Sequence, residues 1–260
     1  MNLVVLAAGR GSRLGAQADA RPKCLTPLLG RPWLDHQLDT FAAAGLGPPL
    51  LVCGHAAAAL QHWPRVARRV LQPRWAQSGP VASLHAALAH VADAELIVAY
   101  GDCLWHPQWL RWLRAARAPV ALTVDREWAD LWTLRFQDPL ADAESLRMAP
   151  AAAACRHRRL LAIGARAARI EQIEAQFMGL LRFDAAGCAR LRAWLDELPT
   201  AQRERLDITA MLARWLAEGW LLEAIVGGGA WLELDHASDL ELYERALAQG
   251  FGHDWREPPR

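Results

Sequence analysis

The 260-residue chain predicts a doubly wound α/β fold with a mainly parallel sheet and a smaller, less regular subregion in its second half. Short apolar runs alternate with stretches of helical spacing over the first 125 residues, the pattern of βαβ units feeding a parallel sheet. The first of them, 2–7, reads as a continuous apolar run, as a strand covered on both faces does. A glycine-rich turn, Ala8 to Gly15, follows the first of them directly.

In chain order, residues 2–7 read as the first buried strand. The spacing at 32–44 predicts a helix with Gly45 as its C-cap. A strand at 49–53, a helix at 55–63 and a short strand at 69–71 follow. The loop 72–79 leads to a helix at 80–91, with Pro80 at a favourable early position. Residues 95–100 form another buried strand ending at Gly101-Asp102, followed by a helix at 107–116 and a strand at 119–124. Beyond this, 131–136 alternates like a strand, 138–149 is polar and reads as loop, and 159–163 and 176–183 read as strands. Helices are predicted at 185–198 and 208–217, the second capped by Asp207. Strands at 220–226 and 230–234 flank a Gly227-Gly228-Gly229 turn. A closing helix covers 237–249, with Ser238 or Asp235 as its cap, and a proline-containing tail ends the chain. We expect one domain, with halves at 1–125 and 126–235 and a C-terminal helix and tail at 236–260; 150–154 is the weakest candidate boundary.

Net charge is +1, which supplies no basic field for nucleic acid. Five widely spaced cysteines without a CxxC pair argue against a zinc knuckle or a disulfide framework and fit a reducing cytosol. The first apolar run lacks a basic leader and is too short to span a membrane, so a cytoplasmic protein without a membrane partner is expected. Homodimerisation is left open.

Of the 29 basic residues, Lys23 is the single lysine. A compact, mobile ammonium suits a phosphoryl oxygen where a flat guanidinium does not fit. The adjacent turn points the same way. Its glycines, Gly9, Gly11 and Gly15, allow backbone N–H groups to approach phosphate oxygens. The turn is neither a Walker loop nor a clean GxGxxG.

The combination Leu6-Ala7-Ala8-Gly9-Arg10-Gly11-Ser12-Arg13-Leu14-Gly15, followed by Arg21-Pro22-Lys23-Cys24-Leu25, resembles the signature of the nucleotidyltransferases that activate sugar phosphates, phosphocholine and phosphonates. The resemblance continues through Gly101-Asp102, residues 176–180 and Trp231-Leu232-Glu233-Leu234-Asp235. It implies that an acceptor oxygen attacks the α-phosphorus of a nucleoside triphosphate and pyrophosphate leaves, by alignment and charge neutralisation. It further implies that Arg13 contacts the β- and γ-phosphates, and that Lys23 bridges the α-phosphate and the acceptor. The nucleotide would lie on the 6–13 turn: Leu6, Ala7, Ala8, Gly9, Arg10, Gly11, Ser12 and Arg13. Asp102 and Asp235 would hold Mg²⁺, with Asp102 also beside the nucleotide. The alternatives are a turn aspartate for Asp102 and a helix cap for Asp235. Glu233 shares a strand face with Asp235 and is expected in the site only in a different register.

The base would be read by Gln77, Gly79 and Ser83, with ordinary capping by Ser78 as the alternative. Similarity to the phosphocholine and phosphonate branch favours CTP. That branch also places the acceptor, a small phosphate or phosphonate with an amine, at Asp125, Arg126, Trp128 and Trp132, so the second half is the acceptor-binding subregion. With thirteen tryptophans, core packing is the competing role for the last two. Relatives usually carry glutamate where Gln176 stands. A sugar-1-phosphate nucleotidyltransferase using another triphosphate, and an inactive nucleotide-binding regulator, are the rival readings.

Overall fold

The computed structural model describes residues 1–15, 21–92, 94–152 and 155–260. Of the candidate boundary 150–154, residues 153 and 154 lie outside the described residues. The first half contains β1 (Asn2–Ala7), the hairpin β2 (Pro27–Leu28) and β3 (Arg31–Pro32), α1 (Trp33–Ala43), β4 (Leu50–Cys53), β5 (Arg68–Leu71), α2 (Pro80–Leu88), β6 (Leu96–Tyr100), β7 (Cys103–Trp105), α3 (Pro107–Arg114) and β8 (Val120–Asp125). The second contains α4 (Trp128–Arg135), β9 (Glu144–Met148), β10 (His157–Arg166), β11 (Gln176–Phe183), α5 (Ala185–Glu197), α6 (Thr200–Arg205), α7 (Ile208–Ala217), β12 (Leu222–Gly227), β13 (Trp231–Glu233) and α8 (Ala237–Ala248).

Among the described residues, nine strands form one sheet in the order β5-β4-β1-β6-β11-β8-β12-β10-β9. β5, β4, β1 and β6 are mutually parallel, as are β8 and β12, while β11 runs antiparallel between β6 and β8 and β10 runs antiparallel to both its neighbours. The mainly parallel α/β architecture is therefore present. Alternation along β1 shows why the strand is apolar from Leu3 onward. Leu3, Val5 and Ala7 join a core with Trp33 of α1, Trp109 of α3, Leu131 of α4 and Tyr243 of α8. Val4 belongs to the opposite core, with Leu84 of α2, Leu191 of α5 and Trp215 of α7. Each face buries its own helices, so the one polar side chain of the strand is Asn2 at its partly exposed start.

Four local expectations are corrected. Residues 131–135 are helical, with Phe136 as the extended C-cap, because Trp128, Leu131, Trp132 and Arg135 form one inward stripe at helical spacing, and the arginine in that stripe disguised its period. The expected loop 138–149 contains β9, whose Leu146 and Met148 are buried and which pairs with β10 through two register irregularities. The expected helix at 55–63 is a single 3₁₀ turn, Ala57–Leu60. The cap of α8 is neither Ser238 nor Asp235; the Asp239 carboxylate accepts from the backbone N–H of His236 and Asp235 instead. Among the described residues, no helix is long and apolar enough to cross a membrane.

Gly101 closes the gap between β1 and β6. Its N–H donates to the Leu6 carbonyl at 2.9 Å, and a Cβ there would lie 2.8 Å from that oxygen and 2.8 Å from the Ala7 Cβ. Gly101→Ala is expected to destabilise the protein by about 1–3 kcal/mol through overpacking. An unchanged urea midpoint would contradict this close approach.

Candidate active site

From β1 the chain passes to β4 on one side and later returns to β6 on the other. This reversal opens a crevice beyond the carboxyl ends of β1 and β6, where ligands bind in open parallel sheets. The glycine-rich turn leaves β1 at that crevice, and Asp102 lies two residues beyond β6.

Lys23 opens a 3₁₀ turn, Lys23–Leu25, whose Cys24 and Leu25 are buried anchors. Its stem lies against Gly11, where φ is 67° and an added Cβ would sit 3.0 Å from the Lys23 Cδ. Glycine is thus required at 11 both for the left-handed backbone and for the lysine packed on it. Lys23 Nζ donates to Asp102 Oδ2 at 2.7 Å and to Asp235 Oδ1 at 3.1 Å, bonds that span 79 and 212 residues of sequence. The Arg13 guanidinium approaches the same Asp235 oxygen at 3.2 Å and Asp142 at 3.6 Å. Lys23, Arg13, Asp102 and Asp235 therefore meet in one place.

A two-stranded ladder brings the carboxylates together. β13 pairs antiparallel with β7, aligning Glu233 with Cys103, and the Leu234 N–H donates to the Asp102 carbonyl at 2.9 Å. Behind Asp235 lies Arg135, whose side chain is fully buried. Its Nη2 donates to Asp235 Oδ2 at 2.8 Å and Asp239 Oδ2 at 3.3 Å, and its Nη1 to Glu233 Oε2 at 3.4 Å. Burial works against the charge on Lys23, yet Asp102 and then Asp235 hold its pKa above the usual lysine range. Burial likewise works against ionised Asp235, but Lys23, Arg135 and Arg13 outweigh it and keep this carboxyl below the usual carboxylate range. Glu233 goes the other way, pushed up to about 8 by burial first and by Asp235 second.

Arg13, Lys23, Asp102, Glu233 and Asp235 form one wall of a cavity of about 370 Å³. Leu6, Ala8 and Gly9 line it on the β1 side, Trp75, Ser78, Gly79, Pro80 and Ser83 face it from the start of α2, and Tyr100 contributes from the end of β6. Ala7 lines a small adjoining cavity with Gly101 and Lys23. Arg10 and Ser12 are exposed and Gly11 is half-buried, and all three stand outside both linings. Gln77 is exposed and also outside the lining, whereas Ser78, whose buried Oγ has no hydrogen-bond partner among the described residues, lines the cavity.

The expected acceptor group does not assemble there. Asp125 is fully buried and accepts from the N–H groups of Glu127 and Gly229 and from Trp231 Nε1, fastening β8 to the β12–β13 turn. Trp128 and Trp132 are core residues, with Trp132 packed 5.9 Å from Trp231 between ring centroids, and Arg126 is exposed outside the cavity lining. Large apolar rings gain more from this burial than from an exposed edge. Gln176 bonds the Glu144 backbone through both ends of its amide, and Asp207 caps α7 through the Ala210 N–H.

Sequence reasoning missed Arg135, Trp75 and Tyr100 as parts of this neighbourhood and gave Glu233 only a conditional place. Glu233 was recoverable from its strand face, shared with Asp235. Arg135 was recoverable from the helical stripe at 128, 131, 132 and 135. Between about pH 4.5 and 8 the folded protein keeps a proton on Glu233 that the unfolded chain has released, so stability falls as pH rises through this window. Glu233→Gln should flatten that fall. Melting temperatures of metal-free protein from pH 5 to 9 check it, and an unaltered slope would refute the assignment.

A family model described as the MobA-like NTP transferase domain matches residues 3–182. The CTP:phosphoglutamine cytidylyltransferase of Campylobacter jejuni is 25% identical over 256 residues, covering 93% of this chain and 98% of that protein. The CMP-5'-(3-aminopropyl)phosphonate synthase of Streptomyces rubellomurinus is 34% identical over 129 residues, 47% of this chain but 20% of that longer protein. Among solved structures, the inositol-1-phosphate CTP transferase from T. maritima superposes with a TM-score of 0.72 at 19% identity, covering 94% of this chain and 95% of that one, a likeness of fold. With a crevice at the sheet's switch point, a glycine-rich turn on β1 and this match over most of its length, the chain belongs to the MobA-like NTP transferase family and resembles its cytidylyltransferase members.

Proposed function

We propose that this nucleotidyltransferase-family protein transfers CMP from CTP to a small phosphate or phosphonate acceptor, releasing pyrophosphate. The observation that carries the reading is the convergence of Lys23 and Arg13 with Asp102 and Asp235 in one cavity beside the glycine-rich turn. An acceptor oxygen attacks the α-phosphorus, the bond from that phosphorus to the bridging oxygen breaks, and its electron pair leaves with pyrophosphate. Lys23 neutralises charge building on the α-phosphoryl oxygens, and Arg13, more exposed, holds the outer phosphates. Ser78, just before α2, and Ser83, in its first turn, line the cavity and would read the base.

Among the described residues, no group of three or more His, Cys, Asp or Glu is arranged to hold a metal ion. A hard divalent cation would therefore rest on two carboxylates, Asp102 and Asp235, together with triphosphate oxygens; both line one cavity, and their partners Lys23 and Arg13 are the groups a triphosphate would draw away. Mg²⁺ would be held by Asp102 and Asp235 and would neutralise charge on the triphosphate. Similarity to the CMP-5'-(3-aminopropyl)phosphonate synthase supports an acceptor carrying a cationic nitrogen, of the aminoethylphosphonate or phosphocholine kind. The relatives whose names specify CTP or a CMP product support cytidine as the base.

Lys23→Ala should lower turnover by roughly 10²–10³-fold, the scale for removing one preorganised charge donor, and should also lower the melting temperature, because Asp102 and Asp235 lose their shared cationic partner. Pyrophosphate release from CTP, UTP, GTP and dTTP with a panel of aminoalkyl phosphonates, phosphocholine and sugar 1-phosphates checks the reading. Turnover confined to sugar 1-phosphates would overturn it, as would full activity in a folded Lys23→Ala protein.

A further inference from the structure

We infer that Arg135 is a positioning residue, which fixes from behind the oxygen of Asp235 that faces Lys23 and Arg13. The inference rests on the proposed reading for its kinetic consequence, but its geometry stands apart from any substrate.

Arg135 is outside the cavity lining, and its side chain has no solvent exposure. Its guanidinium is flanked by the Trp132 and Phe136 rings, at 5.4 and 4.9 Å from their centroids. From there it takes Asp235 Oδ2, leaving Oδ1 for Lys23 and Arg13. The tether is double. Asp239 Oδ2, which accepts from Arg135, also accepts from the backbone N–H of Asp235 at 2.8 Å and of His236 at 2.8 Å. Side chain and main chain of Asp235 are thereby tied to one buried assembly. A second fork of the same guanidinium reaches Glu233, and the Tyr243 hydroxyl donates to the Glu233 carbonyl at 2.5 Å.

Stability alone does not require this arrangement. Burying an ion cluster costs desolvation, and well-packed apolar groups of similar volume often do as well or better. What the cluster supplies is orientation. A rigid planar fork can address two carboxylates in fixed directions, whereas an ammonium is a point charge on a flexible stem. Nor does the apolar stripe of α4 require an arginine, since Trp128, Leu131 and Trp132 already fill the core.

Because Lys23 is the single lysine, ¹⁵N-lysine labelling of the full chain reports on its ammonium group alone among side chains. In ligand-free protein that resonance should move or broaden away in Arg135→Gln, since Asp235 loses its anchor; an unchanged resonance in folded protein would overturn the inference. The kinetic arm uses Arg135→Lys, which keeps charge and stem. With melting temperature held, kcat for CTP should fall roughly 10–10²-fold, the cost of small misplacement, with KM for CTP shifted less than about threefold. A folded Arg135→Lys protein with wild-type kcat would also overturn it. Should Arg135→Gln fail to fold, the Lys23 resonance is read in Arg135→Lys, where it is the one lost on adding Lys23→Arg. If wild-type protein releases no pyrophosphate from CTP with any acceptor, the proposed reaction fails, while the Lys23 resonance still decides the role of Arg135.

Discussion

One carboxylate, Asp235, is shared among Lys23, Arg13 and Arg135, and the site depends on that sharing. Ionised groups removed from water are costly unless paired and hydrogen-bonded. The acidic wall of Asp102, Glu233, Asp235 and Asp239 meets this condition by drawing cations from three distant parts of the chain. The glycine-rich turn supplies Arg13, the following 3₁₀ turn supplies Lys23, and the inner face of α4 supplies Arg135. Glu233 receives the weakest share of positive charge and leans toward its protonated form.

This arrangement makes the site a set of internal ion pairs. Lys23 and Arg13 already contact oxygen anions, and under the proposed function a triphosphate would exchange one set of oxygen partners for another. The cavity brings the groups of that exchange together. Backbone of β1 and its turn lies on one side, the start of α2 on another, and the carboxylates opposite. The short β7–β13 ladder is the mechanical element of the design, since it joins the loop after β6 to the segment carrying Glu233 and Asp235.

Much of the first half was legible because its signals are local. Buried parallel strands are apolar at nearly every position, and β1, β4, β6 and β8 read that way apart from Asn2 at the start of β1 and Thr123 and Asp125 in β8. Lys23 stood out by being unique, and the glycine-rich turn by its spacing. The second half was harder for a specific reason. Arg135 interrupts an apolar helical stripe, so α4 looked like an alternating strand, and β9 hid in a polar stretch because only Leu146 and Met148 face the core. Trp128 and Trp132 looked like a binding edge for the same reason that they serve as core: an indole suits both, and nothing in the local pattern tells which side faces the protein. Asp125 misled in a similar way. A carboxylate at a strand's carboxyl end reads as a ligand contact, but here three donors from neighbouring segments surround it and close it from solvent.

The sequence by itself determined the sheet-forming runs, the glycine-rich turn after β1 and the presence of a lone lysine beside it. These follow from periodicity, from the steric freedom of glycine and from the chemistry of a lone ammonium, all of which act over a few neighbouring residues. Tertiary structure alone decided which acids reach Lys23, that Arg135 lies behind them, and that Ser78 rather than Gln77 faces the cavity. Those outcomes depend on strand pairing and burial between segments up to 212 residues apart, and short-range pattern carries no record of them.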